Sequence, residues 1–222
     1  MPGRLVPLVT NEIYHVFNRG IDRRPTFTTK REYERALTCL KFYIHARPPL
    51  RLSKFLRLEE ERRNELRINL LQGQKLVRLL SLCLMPNHFH LLLEQATDGG
   101  ISKFLSNFQN SYTRYYNVRH NRDGSLFLDQ FKAVRIESEE QLIHVSRYIH
   151  INPYTSFVVK NYQDLVTYPW SSLSNYLNND PGLVETGVVM AHFANPSAYK
   201  RFVLDQANYQ RTLKEIENLT FT

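Results

Sequence analysis

The sequence predicts an α+β fold with a four-stranded antiparallel sheet, on three observations. The hydrophobic period switches between two and 3.6 residues in the order β, α, β, β, α, β, with one more helix following. Turn signals separate those segments: Arg19-Gly20, Pro48-Pro49, Met85-Pro86-Asn87, Gly99-Gly100 and Asn121-Arg122-Asp123-Gly124. At 42% hydrophobic and 23% charged, the 222 residues hold enough apolar material for one real core and a smaller lobe, which excludes disorder as the main state.

Each element has its own reason. Ile13 to Asn18 is β-branched and aromatic and is stopped by Arg19-Gly20, hence a strand and then a loop carrying Arg23 and Arg24. Tyr33, Leu37, Leu40 and Ile44 recur at helical spacing between Thr29 and about Ala46. Leu76 to Leu84 is a nearly continuous apolar run, and His88 to Glu94 follows a tight connection, so the two read as adjacent strands. Ile101 to about Arg119 is a helix with Phe104, Phe108, Tyr112 and Tyr115 along one side. Phe131 to Glu137 alternates with period two, a half-exposed strand. Ser138 caps the last helix, with Glu139 and Glu140 in its first turn and Gln141 at the capping-box position, and the helix is expected to stop near Asn152-Pro153. This order is met with short connections by a ferredoxin-like fold whose two crossover helices share one face of the sheet. Residues 155–222, rich in Tyr and Asn, read as a C-terminal, mostly helical tail.

Lys and Arg number 29 against 21 Asp and Glu, a net charge of +8 and a pI near 9.5, which suits a partner of polyanions. Residues 1–154 hold 24 of the basic and 15 of the acidic side chains, so the excess lies entirely there. Arg51 to Arg78, a basic insert with leucines at intervals suggesting an amphipathic helix, has 8 basic and 4 acidic residues. It reads either as a solvated helical face or as a surface that follows a phosphate backbone. No apolar run approaches the length of a membrane span and the N-terminus lacks a signal-peptide core, so a cytoplasmic protein with no membrane partner is expected. Two cysteines, Cys39 and Cys83, each among apolar neighbours, argue against a disulfide framework and a thiolate zinc site.

Chemistry concentrates in two places. On a strand, His88 and His90 project from one face while Phe89 points away. Two imidazoles so placed begin a metal site, although a bare His-x-His is more often a pair of ordinary strand histidines. The last helix offers Tyr148 and Asn152, four apart and therefore on one helical face. An Asn amide oxygen is a hard ligand suited to Mg²⁺ or Mn²⁺. A tyrosine beside such a cation can attack a phosphodiester whose oxygen the metal polarises.

The motifs Tyr14-His15-Val16-Phe17-Asn18-Arg19-Gly20, Met85-Pro86-Asn87-His88-Phe89-His90-Leu91-Leu92, Ser111-Tyr112-Thr113-Arg114-Tyr115-Tyr116-Asn117, Phe131-Lys132-Ala133, Arg147-Tyr148-Ile149-His150-Ile151-Asn152-Pro153 and Tyr168-Pro169-Trp170-Ser171-Ser172 stand in one order. Over roughly residues 10–176 this order resembles the single-tyrosine HUH transposases, and within them the REP-associated tyrosine transposases, relatives of the small insertion-sequence transposases. The resemblance implies a ferredoxin-like catalytic domain over residues 1–154, with the insert 51–78, and a C-terminal extension over 155–222 packed on it. It implies His88 and His90 as the histidine pair, Asn152 as third ligand of Mg²⁺ or Mn²⁺, and Tyr148 as a nucleophile that joins the 5′ phosphate of a cut strand. The implied partner is single-stranded DNA with a hairpin or repeat, bound by a monomer or homodimer. Where many relatives carry Gln-Gly-Arg before the fourth strand, this chain has Leu128-Asp129-Gln130.

Tyr112 and Tyr116 form a rival pair, four apart on a helix, but read more simply as its buried face. His150 is expected to be structural or to touch DNA rather than ligate. Candidates for gripping a strand are Arg19, Arg23, Arg24, Lys132 and Arg135. Presence of His88, His90, Tyr148 and Asn152 together favours an enzyme over a non-catalytic, structure-specific hairpin-binding protein derived from a transposase.

Overall fold

Alternating aromatic and β-branched residues form β1, Ile13–Arg19, in a computed structural model that describes residues 7–178, 180 and 182–212. After it come α1 (Lys30–Tyr43), α2 (Leu52–Phe55), α3 (Glu60–Leu71), β2 (Val77–Met85) and β3 (His88–Gln95). Then follow α4 (Gly100–Arg119), β4 (Lys132–Arg135), α5 (Glu139–Thr155), α6 (Leu173–Asn178), α7 (Gly187–Met190) and α8 (Pro196–Leu204). The sheet is antiparallel throughout in the order β2-β3-β1-β4, the ferredoxin-like arrangement expected from the order of elements.

Period-two alternation sorts the strands into two faces. Tyr14, Val16, Phe89, Leu91 and Leu93 are buried on one, where Phe89 meets Phe108 of α4 with ring centroids 5.4 Å apart. The crossover helices α1 and α4 pack together on that side. The extra helix α5 lies across the opposite face, against β2 and β3. The sheet is thus sandwiched, and the histidines of β3 look toward α5.

Local signals set the helix ends. Glu32 in α1 closes a capping box with Thr29 and also accepts from Thr28. Burial alone would raise its pKa, but these donors together with His120 hold it below the usual value. Ser138 caps α5 by accepting from the Gln141 amide at 3.1 Å, as the sequence indicates. The helix continues past Pro153 to Thr155, because a proline so near a C-terminus removes one donor, to the Ile149 carbonyl, and the Ser156 amide still reaches the Asn152 carbonyl at 2.9 Å.

The insert is two helices rather than one. Phe55 of α2 packs on Phe42, 5.0 Å between rings, and Tyr43 accepts from the Leu52 amide, which anchors that turn before the chain bends. α3 restarts at Glu60 and Glu61, acids favoured by the helix dipole, and buries only Leu70. A groove of about 630 Å³ between these helices and α1 is lined in part by Leu37, Phe42, Phe55, Arg67 and Ile68.

The C-terminal part covers the outer edge of β2, which would otherwise present unpaired backbone groups. The Trp170 and Leu82 carbonyls accept from Leu84 and Ser172, and the Leu79 carbonyl from Glu185. Trp170 stacks on Tyr33 at 4.5 Å and 11°. Cys39 and Cys83 are buried free thiols whose pKa values burial pushes up. Among the described residues, no helix is long and apolar enough to cross a membrane.

Candidate active site

The β1–β3 register decides what gathers on the α5 face. Arg19 pairs with His88 and Phe17 with His90, so Arg19, Phe17 and His15 share the side of the two histidines. β1 also pairs with β4, Phe17 opposite Lys132 and Tyr14 opposite Arg135. Lys132 therefore belongs to the histidine face and Arg135 to the other, where Glu12 holds it at 2.6 Å.

From across the sandwich α5 supplies two side chains. Tyr148 sets its ring edge-on to His90, with centroids 5.4 Å apart at 87°, and is 44% exposed. One turn further on, the Asn152 Oδ1 lies 3.4 Å from Nε2 of His88 and accepts from the Ser156 hydroxyl at 3.2 Å. The rings of His88 and His90 stand perpendicular, 5.1 Å apart. The four residues picked out by their spacing come together at one place.

The second nitrogen of each histidine is already engaged. Nδ1 of His88 is 2.6 Å from the Asn87 Oδ1, an acceptor only, so this nitrogen carries a proton, and in the neutral ring Nε2 is then the lone-pair nitrogen facing Asn152. Asn87 in turn donates to the Arg23 carbonyl at 3.1 Å, tying the loop after β1 to the site. Nδ1 of His90 is 2.9 Å from Nε2 of His15. Burial holds His15 down to about 4, and burial with the neighbouring His88 and His15 holds His90 well below its usual value, so these imidazoles stay neutral at pH 7. Neutral imidazole nitrogens beside an amide oxygen fit a divalent cation. Among the described residues no group of three His, Cys, Asp or Glu is placed to hold a metal; what faces the common space here is two imidazoles and the amide of Asn152.

The remaining candidates separate. Arg19 and Arg23 are exposed, while Arg24 is drawn back by Asp22 at 3.1 Å. Tyr112 and Tyr116 lie in α4 on the far side of the sheet, donating to the carbonyls of Thr26 and Pro25 at 2.6 and 3.2 Å. His150 is fully buried between the Tyr199 hydroxyl at 2.7 Å and the Ser172 hydroxyl at 2.8 Å, a structural role. His15 and Asn87 are site residues that motif reading passes over. Alternation along β1, combined with the β1–β3 pairing of the fold, is the signal that finds His15.

The site is thus a histidine pair on a ferredoxin-like sheet facing a tyrosine-bearing helix. Residues 50–152, just under half of the chain, match the family model described as "Transposase IS200 like". The chain is similar in fold to a solved REP-associated tyrosine transposase bound to a REP hairpin, at 14% identity over 84% of this chain and 90% of that one, TM-score 0.54. A crystal structure of a protein from Deinococcus radiodurans R1 described as a transposase aligns at 15% identity over 67% of this chain and 95% of that one, TM-score 0.37. No curated protein matches the chain.

Proposed function

We propose that the protein is a metal-dependent single-stranded DNA endonuclease and strand transferase that cuts beside a hairpin or repeat through Tyr148. The observation that carries this reading is the convergence of Tyr148, His88, His90 and Asn152 from two elements on one open face. In the reaction the Tyr148 phenol oxygen forms a bond to phosphorus and gives up its proton to water. The bond from phosphorus to the 3′ oxygen breaks, and that oxygen leaves with a proton as a 3′ hydroxyl. The 5′-phosphotyrosine so formed keeps the phosphodiester energy, and a second 3′ hydroxyl reverses the step to join strands.

His88, His90 and Asn152 would hold Mg²⁺ or Mn²⁺, which when bound polarises the phosphoryl oxygen and neutralises developing charge. Arg19 and Lys132 flank the site on the same face and would hold phosphates on either side of the reacting one. Arg23, on the loop tied through Asn87 to His88, would take a third. Catalysis on this reading belongs to residues 1–154, with the C-terminal part holding α5 and β2 in place. The solved hairpin-bound relative supports a hairpin DNA as substrate.

The test is incubation of a single-stranded hairpin oligonucleotide with the protein and Mn²⁺, followed by denaturing electrophoresis. The expected result is a covalent protein–DNA adduct that is lost in Tyr148→Phe. Persistence of the adduct in that variant would show that another residue is the nucleophile. Hairpin binding without any adduct from the unaltered protein would leave a non-catalytic DNA-binding protein.

A further inference from the structure

Behind His90 lies an imidazole that the proposed reaction does not use. We infer that His15 is a positioning residue, which accepts the Nδ1 proton of His90 and so fixes that ring with Nε2 bare and available to the cation. The inference rests on the metal-site reading above and adds to it a determinant of how tightly the cation is held.

One proton lies between Nε2 of His15 and Nδ1 of His90, 2.9 Å apart. Were His15 the donor, the remaining proton of neutral His90 would sit on Nε2, and that nitrogen could not ligate. With His90 the donor, its Nε2 lone pair is free and His15 carries its own proton on Nδ1. Only the second arrangement is compatible with ligation, and a histidine ligand held through its other ring nitrogen is the usual way of fixing tautomer and orientation. The acceptor here is a second imidazole rather than a carboxylate or carbonyl, so it orients His90 without adding negative charge.

Packing keeps the pair from rotating apart. His15 and His90 stack with centroids 5.1 Å apart at 26°. Phe17, directly across the ladder from His90, touches both rings, at 5.0 Å from His15 and 5.5 Å from His90. Tyr148 closes the other edge, 5.8 Å from His15 and 5.4 Å from His90. Removing the acceptor would leave His90 able to exchange its proton between nitrogens and to turn, and the cation would then have to select one arrangement out of several.

The experiment titrates the full chain with Mn²⁺ alone, by calorimetry, for the unaltered protein, His15→Phe and His15→Gln. His15→Phe keeps the ring packing and loses the acceptor, and is expected to weaken Mn²⁺ binding about 10–100-fold. His15→Gln offers an amide oxygen in its place and is expected to return affinity to within roughly threefold of the original. A purely structural role would not be rescued in this way. Equal affinity of His15→Phe and the unaltered protein, or a His15→Gln as weak as His15→Phe, would overturn the inference while leaving the metal site standing. Failure of the unaltered protein to bind Mn²⁺ would overturn the metal site and the inference with it. Long-range ¹H–¹⁵N spectra of the Mg²⁺-loaded protein read the tautomer without any substitution: His90 is expected protonated at Nδ1, and protonation at Nε2 would refute the assignment.

Discussion

Nε2 of His88 and Oδ1 of Asn152 lie 3.4 Å apart, although one opens a strand and the other sits in the last turns of the helix that crosses that face of the sheet. With neutral His88 protonated at Nδ1, both groups offer lone pairs to the space between them, and a shared cation would draw on that approach. Replacing Asn152 by Ala removes one of them, and the Ser156 hydroxyl it relieves of a partner is half-buried and can turn to water. Mn²⁺ affinity measured by calorimetry is expected to fall at least about tenfold, with the melting temperature of the metal-free protein nearly unchanged. An unaltered affinity would remove Asn152 from the ligand set.

Tyr148 and Tyr112 should respond oppositely to loss of a hydroxyl. Tyr148→Phe takes a group from a side chain that is 44% exposed, so adduct formation should vanish while chemical denaturation stays within about 0.5 kcal/mol of the original. Tyr112→Phe leaves the Thr26 carbonyl without its 2.6 Å donor inside the α4 face, at a cost of about 1–3 kcal/mol, yet should still form the adduct under folded conditions. An exchange of these two phenotypes would move the nucleophile to the other side of the sheet.

The fold was readable because the period of each segment states its type, and Phe89 between His88 and His90 already says which residues share a face. Tyr148 and Asn152 were readable for the same reason, through the helical repeat. What spacing along one element cannot state is register between elements. His15 becomes a neighbour of His90, and Lys132 is assigned to the histidine face, only once β1 is paired with β3 and β4. The insert misled in a different way: leucines at helical intervals describe α2 and α3 equally as one helix, and the break comes from tertiary anchoring of Phe55 on Phe42. Likewise the fate of His150 depends on Tyr199, 49 residues away, which no local pattern announces.

His150 gives the protein an acid-sensitive core. Burial lowers its pKa to about 3, from 6.5 when exposed, so the folded state keeps it neutral where the unfolded chain takes up a proton. Its folded-state pKa being depressed, its contribution to stability is complete above about pH 6.5 and is lost as the pH falls toward 3. Between pH 6.5 and 5 the loss amounts to about 2 kcal/mol from this one group. His15, Glu32 and Glu185, also held below their usual values, add to the same trend, so the effect must be read as a difference. Denaturant unfolding of His150→Gln should show a shallower decline between pH 7 and 5 than the unaltered protein. Parallel declines would mean that His150 is not protonated differently in the two states.

The cations that flank the site can be told from those that merely add charge by the salt dependence of binding. A phosphate contact to a single strand contributes about 0.7 to the slope of log affinity against log salt, because neutralising it releases condensed counterions. Arg19, cross-strand from His88, and Lys132, cross-strand from Phe17, share the face of Tyr148 and are exposed. Each changed to Ala should therefore weaken binding to a single-stranded hairpin and lower the slope by about 0.7, and the double variant by about 1.4. Arg135 sits opposite Tyr14, turned to the other face and held by Glu12 at 2.6 Å. Arg135→Ala should leave the slope as it was, although it removes the same unit of net charge. Fluorescence anisotropy over a range of salt concentrations makes the distinction, since a mere change of net charge would affect all three variants alike. If Arg135→Ala lowers the slope as much as Arg19→Ala does, the bound strand cannot be confined to the histidine face.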